Sequence, residues 1–125
     1  MNRTLSSIAI TIVCLTYGTA FAGTTIITDA GAKNFGSLLA YIAICERESF
    51  VPVGTLGDLM SVSMKGFTED AWVKTKSQYQ QSLHDKRLYS IAKDQWIPFR
   101  INAKDCHSIE KIIPTLKDAA IRFGQ

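Results

Sequence analysis

Residues 102–123, NAKDCHSIEKIIPTLKDAAIRF, are the stretch whose reading decides the fold. Cys106, Ile109, Ile113, Leu116, Ala120 and Phe123 recur there at intervals of three and four residues, the spacing that gathers side chains on one stripe of an α-helix. The pattern predicts a final helix capped by Asn102. Pro114 lies off the stripe, so the helix is expected to kink there and continue. A cysteine heads this stripe, and an earlier segment inverts the device: Phe35, Leu38, Ile42 and Cys45 follow the same spacing with the cysteine at the foot. The two stripes are read as stapled by a Cys45–Cys106 disulfide.

Outward from these helices, the N-terminus has a different character. Met1-Asn2-Arg3 gives a positive start, Ile8 to Tyr17 an apolar run, and Ala20-Phe21-Ala22 a small-x-small cleavage signal before Gly23. Residues 1–22 therefore read as a secretory signal peptide, and residues 23–125 as a single helical domain. Thr11, Thr16 and Gly18 interrupt the run, which argues against a membrane-spanning anchor. Cys14 leaves with the peptide, and the two remaining cysteines of an exported domain favour a structural bridge. Closing a loop of about 60 residues would constrain the unfolded chain by roughly 4 kcal/mol. The formal net charge of +3 is too balanced to argue for nucleic acid or a membrane surface.

Along the mature chain, residues 23–33 read as an extended or frayed leader, with Asn34 capping a first helix over Phe35 to Arg47. Leu39, Tyr41 and Ile44 lie off its stripe, so this helix is apolar over most of its circumference. Either it is central, or its second face meets a partner. Pro52 breaks the chain. Thr55 to Asp58 has the form of a capping box for a short helix ending at Gly66 in a left-handed cap. A third helix, Glu69 to Leu88, carries Trp72, Lys76, Tyr79 and Leu83 on a thin apolar edge. Residues 89–101 read as a small hairpin or as a helical turn followed by an extended segment, with Pro98 confining the second strand to an edge. The fold expected is mainly α, a small bundle of about four helices stapled by one disulfide.

No residue constellation states a catalytic chemistry, and no enzyme activity, cofactor or small-molecule substrate is expected. His107 follows Cys106 directly, but helix neighbours point about 100° apart, and a disulfide sulfur is no nucleophile. Neither cysteine–histidine spacing matches a zinc pattern, so no metal is expected. The segment Pro52 to Asp58 lacks the lysine and hydroxyl of a phosphate loop. Glu46, Glu48, Glu69 and Asp70 read as solvated acids. Tyr89, Trp96 and Phe99 cluster with Arg87 and Arg100, a mixture enriched where proteins bind proteins, although the same rings serve equally well as core. Trp72 invites the same two readings.

This arrangement resembles the small periplasmic immunity proteins, the Tai group, that bacteria carry against type VI secretion amidase effectors. Cys45 within Leu38-Leu39-Ala40-Tyr41-Ile42-Ala43-Ile44-Cys45 and Cys106 within Lys104-Asp105-Cys106-His107-Ser108-Ile109 sit where that group joins an early helix to a late one. Gly66-Phe67-Thr68-Glu69-Asp70-Ala71-Trp72, followed by Leu83, Lys86, Tyr89 and Ser90, is similar to its middle helix. Pro52 to Leu59 is similar to a turn of another periplasmic immunity family. The chain departs from the pattern at Trp96 to Ile101 and after Ile113. The resemblance implies a periplasmic, non-enzymatic homodimer that plugs a peptidoglycan amidase. The leading expectation is thus an exported domain that binds another protein through Trp96, Phe99 and Arg100, with Tyr89 and Trp72 as further candidates. The alternative is a periplasmic accessory or chaperone-like component of a secretion system, and a small cell-wall enzyme is the weakest reading. Intact mass of the exported protein is expected to match residues 23–125; retention of residues 1–22 would contradict the leader reading.

Overall fold

The structure, a computed structural model, describes residues 23–122. The leader read at residues 1–22 and the stripe position Phe123 lie outside the described residues. Within them the chain forms α1 (Asp29–Arg47), α2 (Thr55–Gly66), α3 (Glu69–Asp85), β1 (Arg87–Ser90), β2 (Gln95–Pro98) and α4 (Ala103–Arg122). The expected class holds: helices with one short antiparallel hairpin, and Cys45 bonded to Cys106 with their Cα atoms 5.7 Å apart. No described helix is long and apolar enough to cross a membrane.

Helix α1 is the centre of the bundle, and three of its faces are occupied. Phe35, Leu38, Leu39 and Ile42 enter the main core with Leu59, Phe67, Trp72, Ile113, Leu116 and Ala120. A second face carries Gly36 against α3, and the approach is backbone to backbone. A Cβ on Gly36 would stand 2.6 Å from the Thr75 carbonyl oxygen and 2.9 Å from the Tyr79 nitrogen. The third face, Asn34, Ser37, Tyr41 and Cys45, docks the hairpin, the segment after it and the start of α4. Of the apolar residues off the main stripe, Leu39 joins the main core, Tyr41 packs around the disulfide and Ile44 is buried, as the central-helix reading expects.

Several local expectations are corrected. Helix α1 starts at Asp29, not Phe35, because Thr28 caps it: its Oγ1 accepts the Gly31 N–H at 3.0 Å. Asn34 is interior and serves the hairpin instead. Of the two readings for residues 23–33, the extended one holds for the part before Asp29, where Thr25 is fully buried and bridges to Phe67. The Thr25 N–H donates to the Gly66 carbonyl at 2.9 Å, its carbonyl accepts the Thr68 N–H at 2.9 Å, and its hydroxyl donates to the Ile121 carbonyl at 3.0 Å. The Thr55 capping box does not form. Gly54, at φ 97°, is the cap position, the Thr55 hydroxyl donates to the Pro52 carbonyl, and a carboxylate from another helix does the capping: Glu46 Oε1 accepts the Leu56 N–H at 3.0 Å. Gly66 is not left-handed; it lets α2 touch α4, where a Cβ would lie 2.1 Å from the Ala120 carbonyl oxygen.

Helix α3 ends at Asp85, where Lys86 takes a left-handed cap, and Leu88 belongs to β1. Its buried stripe is Ala71, Trp72, Thr75 and Ser82, with Lys76 exposed. Small polar residues fill the interface because the backbones approach too closely for larger ones. Two expectations hold at the far end: Asn102 Oδ1 accepts the Asp105 N–H at 2.8 Å, and α4 continues through Pro114.

Gly36→Ala and Gly66→Ala are each expected to lower stability by about 1–3 kcal/mol, because the added methyl meets backbone that cannot yield. Gly57→Ala, with nothing within 4 Å of the new Cβ on α2, is expected to raise it by about 0.5–1 kcal/mol. Urea unfolding of the three variants checks both signs.

Candidate protein-binding surface

The third face of α1 positions the residues singled out by sequence. Asn34 Nδ2 donates to the Tyr89 carbonyl at 2.8 Å, and the Tyr89 N–H donates to Ser37 Oγ at 3.0 Å. One turn on, the Tyr41 hydroxyl donates to the Arg100 carbonyl, and one turn further Cys45 holds Cys106. Positions 34, 37, 41 and 45 are spaced three, four and four, so they form a column down one side of the helix. Side chains of α1 thus satisfy the inner edge of β1, which would otherwise leave peptide groups unpaired.

The hairpin pairs Arg87 with Pro98, Leu88 with Ile97, Tyr89 with Trp96 and Ser90 with Gln95. Pro98 is in the outer strand, as expected from its missing donor. The Tyr89 and Trp96 rings meet edge to face at 5.1 Å, and the Arg87 guanidinium lies 5.0 Å from the Trp96 ring centre. Lys33 of α1 stands 5.4 Å from the Tyr89 ring centre. Trp96 is half-buried and clasped on two sides, a geometry that fixes an indole without hiding it. Phe99 is also half-buried, with its ring edge to face with Tyr41 at 5.2 Å. Arg100 is exposed, its Nε 3.3 Å from Asp105 Oδ2.

The structure divides the five candidate residues Trp96, Phe99, Arg100, Tyr89 and Trp72. Trp96, Phe99 and Arg100 follow one another along the outer strand and its exit and reach the surface. Tyr89, 5% exposed, and Trp72, 6% exposed, are interior, so for these two the packing reading is the one supported. Trp72 belongs to the main core. The column of Asn34, Ser37 and Tyr41 escaped notice because a polar stripe inside an apolar helix carries no hydropathy signal, although its spacing was there to be found.

Little else on the surface offers chemistry. No three His, Cys, Asp or Glu side chains converge to hold a metal ion among the described residues. A cavity of about 130 Å³ between the leader, α1 and α4 is walled by carbon, including Ile26, Phe35, Phe67 and Leu116, and none of its lining residues ionises. Comparison with protein families, with curated proteins and with solved structures finds no match.

The tyrosines of residues 23–125 report on this packing. Burial, and then the Asp105 carboxylate, push the Tyr41 phenol up, against an opposing pull from Arg100. Burial followed by Glu46 raises Tyr79. Tyr89 is raised by its hydrogen bond to Asp94, then by burial. All three stand above the ordinary 10.0. A raised folded value means the native state keeps its protons longer, so this stabilisation is complete below the ordinary phenol range and is lost as pH rises through the folded values. Ultraviolet difference titration of the oxidised protein is expected to show less tyrosinate at pH 10 than the unfolded chain gives, with stability falling as pH rises further. Ordinary phenol titration at constant fold would contradict the packing.

Proposed function

We propose that this chain is an exported, non-enzymatic domain that works by binding another protein, and that in its sharpest form it is an immunity protein of the periplasm blocking a peptidoglycan amidase effector. The observation that carries the reading is the run from Trp96 to Arg100. An indole clasped between Tyr89 and Arg87 is followed by a half-buried phenylalanine and an exposed arginine, all on a scaffold closed by a disulfide. Aromatic and arginine side chains that are already immobile lose little freedom on association, and they dominate binding energy where they occur. The bridge supports an oxidising compartment, where such links persist. The amidase itself comes from the likeness of the two cysteine segments and of Gly66 to Trp72 to the immunity group.

The test is protection. Export of the chain is expected to restore growth to cells whose periplasm receives an amidase encoded beside it, with a stable complex of the purified pair. Trp96→Ala combined with Arg100→Ala is expected to weaken that complex about tenfold or more while leaving the melting temperature within a few degrees of wild type. Undiminished lysis in the presence of the chain would contradict the amidase reading. An unaffected complex would remove these residues from the interface.

A further inference from the structure

The cavity of about 130 Å³ lies where three parts of the chain are fastened to one another. Thr25 donates its N–H to the Gly66 carbonyl and its hydroxyl to the Ile121 carbonyl, so the leader is tied to the ends of α2 and α4. Gly31 and Phe35 of α1 form a second wall, and Leu116 and Ala119 of α4 a third. The Phe35 and Phe67 rings meet edge to face at 5.3 Å, and both border the space. Walls tied in this way have their shape before anything enters, which keeps the cost of binding low.

The lining decides what class of molecule fits. None of its residues ionises, and of the two with polar side chains, Thr25 spends its hydroxyl on Ile121 while Asn34 donates its amide nitrogen to the Tyr89 carbonyl. What faces the space is carbon. A charged or hydrogen-bonding molecule would be stripped of water there and given little in return. An uncharged hydrocarbon leaves water favourably and gains contact on several sides. Size is then the remaining selection: a carbon-walled cavity of roughly 150 Å³ takes up a benzene ring, and this one is slightly smaller. The tail of a membrane lipid is too long for it. Ile26 and Ile91 also line the cavity, and at 61% and 53% exposed they stand where it opens. A protein segment entering there would bring its peptide groups against a rim of isoleucine side chains, which disfavours it relative to a free hydrocarbon.

We infer that this cavity is a binding site for a small uncharged hydrocarbon, a single aromatic ring in size, which enters between Ile26 and Ile91. The site is independent of the protein-binding reading, because none of the residues from Trp96 to Arg100 lines it.

Benzene is the probe, added to the oxidised exported chain. The amide signals of Ile27, Phe35, Leu116 and Ala119 are expected to shift to saturation, with a melting temperature that rises with benzene concentration. Benzoate, the same ring bearing a charge, is expected to shift none of them. Ala119→Leu adds carbon at one wall and is expected to weaken benzene binding about tenfold or more. Ile27→Ala widens the space and is expected to admit naphthalene, which the wild type excludes. No saturable shift with benzene overturns the inference, as does benzene binding by Ala119→Leu equal to wild type. Should Ala119→Leu fail to fold, the Ile27→Ala variant decides, and its failure to take up naphthalene overturns the inference by itself. Benzoate binding as tightly as benzene overturns the uncharged assignment, and decanol binding more tightly than hexanol overturns the size.

Discussion

A column of contacts down one side of α1, ending in the covalent Cys45–Cys106 link, is what the other parts of this structure depend on. Asn34 and Ser37 satisfy β1, Tyr41 holds the chain at Arg100, and Cys45 fixes the first turn of α4. A hairpin of two four-residue strands is marginal by itself in water. Here its inner edge is completed by side chains of a helix, so it needs no third strand. From Ser37 to Cys45 the column spans about 12 Å of helix, which sets the distance between the hairpin and the disulfide end.

The opposite side of α1 works by closeness. Gly36 lets α3 approach until backbone meets backbone, and Thr75 and Ser82 on α3 are buried with hydroxyls that have no hydrogen-bond partner among the described residues. Such orphaned groups cost about 1–3 kcal/mol each, which the tight dispersion contact around them must offset. For a domain of this size, with net stability of about 5–15 kcal/mol, a bridge contributing roughly 2–4 kcal/mol is a large share. At the surface, the Trp96 indole is held between the Tyr89 ring and the Arg87 guanidinium, while the exposed Arg100 makes one ion pair to Asp105.

The helices and the bridge were legible because apolar periodicity marks buried faces, and both cysteines end such stripes. What escaped reading has specific physical causes. The true start of α1 lies in Asp29-Ala30-Gly31-Ala32-Lys33, small and charged residues with no apolar stripe, where the Thr28 cap begins the helix. The cap of α2 is a glutamate ten residues earlier in sequence, which no local motif can reveal. Gly66 suggested a left-handed turn, and it marks instead a close crossing with a helix more than fifty residues away. Aromatic and arginine composition marked the stretch from Arg87 to Arg100, yet composition does not separate half-buried Trp96 from buried Tyr89. Strand alternation alone does not do so either, since the two pair directly and differ only in depth.

The arrangement stands or falls on the bridge that ends the column. Iodoacetamide treatment of the protein recovered from the exported fraction, followed by peptide mass mapping without reductant, tests it directly. The account predicts one crosslinked species joining the Cys45 and Cys106 peptides, with neither cysteine alkylated until reductant is added. Two alkylated cysteines in the untreated protein would contradict it.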